Sequence, residues 1–408
     1  MVTPQTLKGF RDFLPDQARK RHYVISKLTS IFASFGFEPL ETPTLEYEEV
    51  LAGKYGEEGD KLMYRFEDNG KRRVAMRYDQ TVPLARVVAQ YHHDLPTPFK
   101  RYQIQNVWRA DKPQRGRYRE FLQCDIDIVG TNQLTADAEV IMLVAKTLTQ
   151  LGFTNYRILI NNRSVFGALP TEAIIAIDKL KKIGEAKVIE ELESKGFSKR
   201  DFEIVKEADE PESITQIRSM VAAAGIDTDT LVFEPTLARG LDYYTGSIIE
   251  VEIPEYTVGS IGGGGRYDKL LGLFTAKEIP AIGFAFGFDR MIEAMEQLDL
   301  FPKELAQAHA QALVTIFSEG TRQRSIEISS QLRANDVNTE LYLGEISEKK
   351  PLEKQLKYAL QKHIPYLLVI GPEEAEKNIV MLKNLQTREQ EQLSLEEAIQ
   401  RIKNIKQE

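Results

Sequence analysis

Apolar side chains recur along this chain at two spacings, and the switches between them outline its elements. Val24, Ile25, Leu28, Ile31, Phe32 and Phe35 fall on one face of a helix, and Gly36 stands where that helix would stop. Residues 37–45 then read as extended, with Pro43 tolerable at a strand edge. A hairpin is predicted over 61–79, turning at Asp68, Asn69 and Gly70. Thr81 is placed to cap the next helix, which has Pro83 in its first turn and an apolar stripe of Leu84, Val87, Val88 and Tyr91. Asp79, just ahead of it, is either an ordinary capping acid or a carboxylate that grips an ammonium group.

The clearest strand pattern runs over 99–130. Tyr102, Ile104 and Trp108 alternate with Arg101, Gln103, Gln105 and Arg109; after a loop, Leu122, Cys124, Ile126 and Ile128 alternate with Arg119, Gln123, Asp125 and Asp127. The polar face of such a hairpin is ordinarily just wet. Here, though, seven of the twenty residues over 100–119 are Lys or Arg, in a chain of net charge −8. That density suits a phosphate-bearing ligand. The loop, 111–117, carries Lys112, Pro113, Gln114, Arg115 and Gly116.

Helical spacing returns over 135–151, followed by a short strand at 157–161. Residues 164–230 change texture to Lys/Glu-rich helical stretches, read as a small inserted subdomain with solvated faces and no chemistry. From Phe233 the chain reads as a strand with Arg239, Tyr243 and Tyr244 around Gly240. The glycine run 262–265 fits neither a P-loop nor a dinucleotide fingerprint, but would let a ligand touch the backbone. A strand then runs into a helix over 281–298 with Arg290 in its first turn, where a cation opposes the helix dipole unless an anion neutralises it. After a linker at 299–310, strands at 312–317, 337–343 and 366–370 alternate with helices at 322–334 and 352–363, predicting a small α/β domain with a largely parallel sheet.

Composition narrows this picture without redirecting it. The 408 residues are 42% hydrophobic and 28% charged, ordinary for a globular protein of two to three domains. No apolar run is long enough to span a bilayer, and the opening MVTPQTLKGFRDFLP has no signal-peptide core, so a cytoplasmic protein is expected. The single cysteine, Cys124, lies on an apolar strand face and reads as a packed side chain. No Cys/His spacing suits a metal.

The hairpin with its WRAD string resembles motif two of the class II aminoacyl-tRNA synthetases. The opening helix and proline-bearing strand resemble motif one, which builds the dimer interface, and the 281–298 segment resembles motif three. LARGLDYYTG and GGGGRYD look like the two signature peptides of the histidyl-tRNA synthetase family, and GRYREFLQCDIDIVG fits its second motif-two strand. The likeness covers nearly the whole chain. It implies an α+β catalytic domain on an antiparallel sheet over 1–305, with the 164–230 helical insertion, and an α/β anticodon-binding-type domain over 311–408. It also implies activation of L-histidine by ATP, with Mg2+, and transfer to tRNA(His) by a homodimer. By the same resemblance Arg109 would hold the α-phosphate, Arg290 the γ-phosphate, and Arg239 would bridge substrate carboxylate and α-phosphate. Asp111 would join the ATP site. Asp79, Thr81 and Gln123 would take the α-amino group, and Asp127 and Tyr244 the imidazole, with Tyr243, Gly263 and Gly264 shaping the pocket. Lys112, Gln114 and Arg115 would meet the tRNA acceptor end. The rival is a catalytically inactive paralogue that senses histidine as a regulatory subunit; retention of Arg109, Arg239, Arg290 and a C-terminal domain opposes it.

Overall fold

Glycine is a poor strand former, yet an inner strand of the larger sheet is made of glycines. Gly262–Arg266 pairs on both sides, with Ala281–Phe286 and Ser247–Glu252. The run is therefore a fully buried strand. The computed structural model describes residues 2–404 except 115, 240–243, 270, 271, 273, 275–277 and 307, with backbone alone at 57, 58, 304 and 306. Two compact units divide the chain, Met1–Leu300 and Phe301–Glu408.

The first unit is built on an eight-stranded sheet. Phe99–Trp108, Glu120–Val129, Ala281–Phe286, Gly262–Arg266, Ser247–Glu252 and Arg157–Asn162 lie side by side, each antiparallel to the next. Short parallel strands, Glu38–Pro39 and Leu231–Phe233, close the two edges. The register sets two unlike faces. Ile126, Phe284, Gly264, Ile249 and Ile160 form one cross-strand row, and Phe32 of the helix Pro15–Ser34 packs on that apolar side, 5.5 Å from Tyr102 and 5.8 Å from Phe286. On the other face run two polar rows: Arg101, Asp127, Gly283 and Gly265, then Gln103, Asp125, Ala285, Gly263 and Glu250.

A three-stranded sheet of Leu45–Tyr47, Arg73–Met76 and Arg65–Glu67 precedes the helix Thr81–Gln90. Thr81 is the first helical residue and not the cap. Gln80 holds the N-cap position, and Asp79 supplies the side-chain bond, its Oδ1 accepting the Val82 N–H at 3.2 Å. The inserted segment is helical as expected, from Thr171–Asp178 to Glu212–Ala223, and its Ala173, Ile177, Val188, Leu192 and Phe202 share a core with Leu237, Ala238 and Ile248 near the sheet.

In the second unit the strands run Thr339–Leu341, Ala312–Val314, Tyr366–Val369, Val380–Asn384, Gln390–Leu393. The first three are parallel; the last two are antiparallel additions, of which the final one, QEQL, is almost wholly exposed and has no hydrophobic alternation to read. The sheet is thus mixed and not largely parallel. Among the described residues no helix is long and apolar enough to cross a membrane.

Candidate active site

The polar rows are not wet. Arg101 has no exposed surface, and Gln103, Asp125 and Asp127 are each at most 3% exposed. Glycines on the neighbouring strands make the room. A methyl group at Gly263 would collide with the Arg239 guanidinium, one at Gly283 with the Asp127 carboxylate, and one at Gly265 would stand 2.9 Å from the Tyr244 ring. Three expected site residues therefore lie flat on a sheet surface cleared of Cβ atoms. Gly264 faces the other way, against the Gly283 carbonyl and Phe284 backbone; Gly265 occupies the place on the site face expected for it.

Arg239 does not sit on a strand. The strand Leu231–Phe233 ends early, and the following segment folds over the sheet, held by buried Asn161, whose Nδ2 donates to the carbonyls of Pro235 and Leu237 at 2.9 Å each. Arg239 Nη1 lies 3.4 Å from Glu250 Oε2. Asp178, from the inserted helices, also feels it: burial pushes the Asp178 carboxyl up and Arg239 draws it back. Tyr244 packs against the core of these helices, so the insertion borders the site. Tyr243 and Arg115 lie outside the described residues.

Arg109 extends the same face beyond Gln105. Its Nε donates to the Tyr78 carbonyl at 3.0 Å, and its guanidinium carbon lies 4.5 Å from the Tyr78 ring and 5.2 Å from that of Phe121. Arg290 Nη1 donates to the Ser260 carbonyl at 3.0 Å, with Gly259 and hairpin-loop Gly116 beside its guanidinium. Next to it Asp289 takes both Arg11, at 2.9 Å, and Arg21, at 2.6 Å. Lys112 and Gln114 are exposed on the loop, whereas Asp111 is held within it, 3.7 Å from Arg117 and with its carbonyl accepting from Arg119.

The carboxylates are unequal. Asp79 Oδ1 accepts from Tyr55 Oη at 2.8 Å as well as from Val82, and burial pushes its carboxyl up. Asp127 accepts a short bond from Tyr267 and lies 2.6 Å from Arg101 Nη2; burial raises it to about 6 even so, with Arg101 and Tyr267 pulling it down. Asp125 is pushed further up, by burial first, with Asp127 and Asp79 adding to it against Arg101 and Arg109. Arg101, Asp125, Tyr267 and Asp178 were not among the expected site residues. For Arg101 and Asp125 the signal was present, since they share the hairpin face with Gln123 and Asp127.

Models of two known families cover most of the chain: histidyl-tRNA synthetase over residues 9–200 and 176–291, and an anticodon binding domain over 311–405. The chain belongs to the histidyl-tRNA synthetase family. Within it, the histidine--tRNA ligase of Cytophaga hutchinsonii is 38% identical over 98% of this chain and 100% of its own length, and that of Porphyromonas gingivalis is 38% identical over 98% of each. A crystal structure of histidyl-tRNA synthetase from a Nostoc species superposes with a TM-score of 0.85 at 29% identity, covering 99% of this chain and 100% of that one. A Bacillus halodurans structure, described as an ATP phosphoribosyltransferase regulatory subunit/histidyl-tRNA synthetase, matches less closely, with a TM-score of 0.69 over 84% of this chain.

Proposed function

We infer that the chain is a histidine--tRNA ligase that forms histidyl-adenylate from L-histidine and ATP, releases pyrophosphate, and passes the histidyl group to tRNA(His). The observation that carries the chemistry is Arg239 lying over Gly263, in the row that also holds Asp125. Activation consists of attack by the substrate carboxylate on the α-phosphorus. The protein's part is chiefly positioning and charge neutralisation. Arg239 bridges that carboxylate and the α-phosphate, Arg109 holds the α-phosphate from the hairpin, and Arg290 the γ-phosphate. Mg2+ carried on the triphosphate would shield the remaining oxygens.

Histidine is selected by its ring, which when neutral has one N–H donor and one acceptor nitrogen. Asp127 takes the donor edge and Tyr244 the acceptor edge, over Gly283 and Gly265. Because Asp127 is also engaged by Tyr267 and Arg101, its carboxylate is held in one orientation. Asp79, Thr81 and Gln123 take the α-amino group, Lys112, Gln114 and Arg115 the acceptor end of the tRNA, and 311–408 the anticodon. A cytoplasmic homodimer built on the helix Pro15–Ser34 belongs to the same reading. The regulatory alternative is disfavoured by the full-length likeness to ligases and by retention of all three arginines.

Arg239→Ala tests the assignment. It should reduce histidine-dependent ATP–pyrophosphate exchange by at least about 100-fold while leaving the unfolding midpoint unchanged. Exchange at a near-normal rate would remove Arg239 from its role.

A further inference from the structure

The hairpin face carries buried hydrogen-bond acceptors with nothing to accept. Gln123 Nε2 donates to Asp125 Oδ2 at 2.9 Å, which turns the amide so that its oxygen points away from the carboxylate. That oxygen, Gln123 Oε1, is buried and has no hydrogen-bond partner among the described residues; neither has Asp125 Oδ1, nor Gln80 Oε1 close by. Gln80 is tied to the same spot, its Nε2 donating to the carbonyls of Gln105 and Gln123 at 2.9 and 3.2 Å. Buried polar atoms are almost always paired. A group of orphaned acceptors therefore calls for a ligand that is all donor, and an ammonium, with three N–H bonds and no acceptor, is such a group.

We propose that Asp125 is a positioning residue for the substrate's α-ammonium group, fixing the Gln123 amide with its oxygen toward that group and offering it a second carboxylate oxygen. The inference rests on the histidine-activating reading and adds a residue to it. Its place in the sheet agrees. Asp125 stands opposite Ala285, whose other neighbour is Gly263 beneath Arg239, and it is one row from Asp127. An α-carbon joining a ring over Asp127 to a carboxylate under Arg239 belongs in this row. Asp125 is only 3% exposed, and burial pushes its carboxyl up, a cost that a cation bound beside it would offset.

Asp125→Asn keeps the shape and removes the charge. Histidine-dependent ATP–pyrophosphate exchange by the full chain gives KM for histidine and for ATP. Imidazolepropionate, histidine without its amino group, serves as a competitive inhibitor. The expected result is a rise of about 10–100-fold in KM for histidine, from loss of a hydrogen bond to a charged group. KM for ATP and the inhibition constant of imidazolepropionate should stay within about threefold, and the thermal midpoint should not fall. Parallel weakening of histidine and imidazolepropionate, or no change in either, would overturn the proposal. So would failure of the variant to fold, which would assign Asp125 to the architecture. Absence of exchange in the unsubstituted chain is a separate outcome, which sinks the ligase reading itself.

Discussion

At the scale of single residues, the site depends on absences as much as on side chains. Gly263→Ala would drive the new methyl into the Arg239 guanidinium, and the flexible arginine, not the paired strand, should give way. Pyrophosphate exchange should then fall nearly as far as in Arg239→Ala, with urea unfolding changed by less than about 1 kcal/mol. Asp127 makes a second prediction. Its carboxyl is raised to about 6 in the fold, so its contribution to stability is greatest below the unfolded value near 3.8 and declines as pH rises toward 6. On the proposed ring recognition, function runs the other way, since the carboxylate form would accept the ring N–H, and the free imidazole would also be neutral, with a pKa near 6.5. Below about pH 5.5 the slope of log kcat/KM for histidine against pH should therefore drop by about one in Asp127→Asn. An unchanged slope in Asp127→Asn would take Asp127 out of ring recognition. Which residues lay on the hairpin's polar face was legible from alternation alone. That this face is buried was not, because the covering comes from Gln80, Arg239 and Tyr267, remote in sequence.

Elements were legible where their apolar period was strong and obscure where the tertiary partners decide. The helix Pro15–Ser34, the hairpin and the step from Ala281–Phe286 into Phe288–Gln297 all followed from spacing. The glycine strand did not, since glycine has no side chain with which to announce a face; pairing on both sides makes it a strand. Its last residue does carry one. Arg266 is 7% exposed, pairs with the fully buried Asp137 of the helix Leu134–Gln150, and donates to the Thr131 carbonyl at 2.9 Å. This ties the end of the glycine strand to a helix start. Arg266→Met should cost about 3–5 kcal/mol in urea unfolding, because it strands a buried charge, and Asp137→Leu in the same chain should recover much of that loss. Equal losses in the single and double variants would mean that the pair is not what joins the two elements.

At the scale of the whole molecule, the boundary at Leu300 separates two bodies that each hold a core. In the second, Val314, Ile328, Leu332, Leu368, Ile399 and Ile402 are buried together from a helix–sheet arrangement complete within Phe301–Glu408. In the first, every described residue assigned to histidine or ATP lies on the eight-stranded sheet or the segments folded on it, and the closing Leu300 packs 3.6 Å from where a Gly152 side chain would begin. On the proposed reading, activation uses only groups of the first unit, while the second, which matches the anticodon binding domain family over 311–405, takes the tRNA. A chain cut after residue 300 should therefore fold, keep histidine-dependent pyrophosphate exchange within about tenfold, and lose charging of tRNA by well over 100-fold. The comparison of the two assays decides the point. Loss of both activities in a folded fragment would mean that the second unit completes the activation site, and retention of both would deny it the tRNA; either outcome would break the link between fold boundary and function argued here.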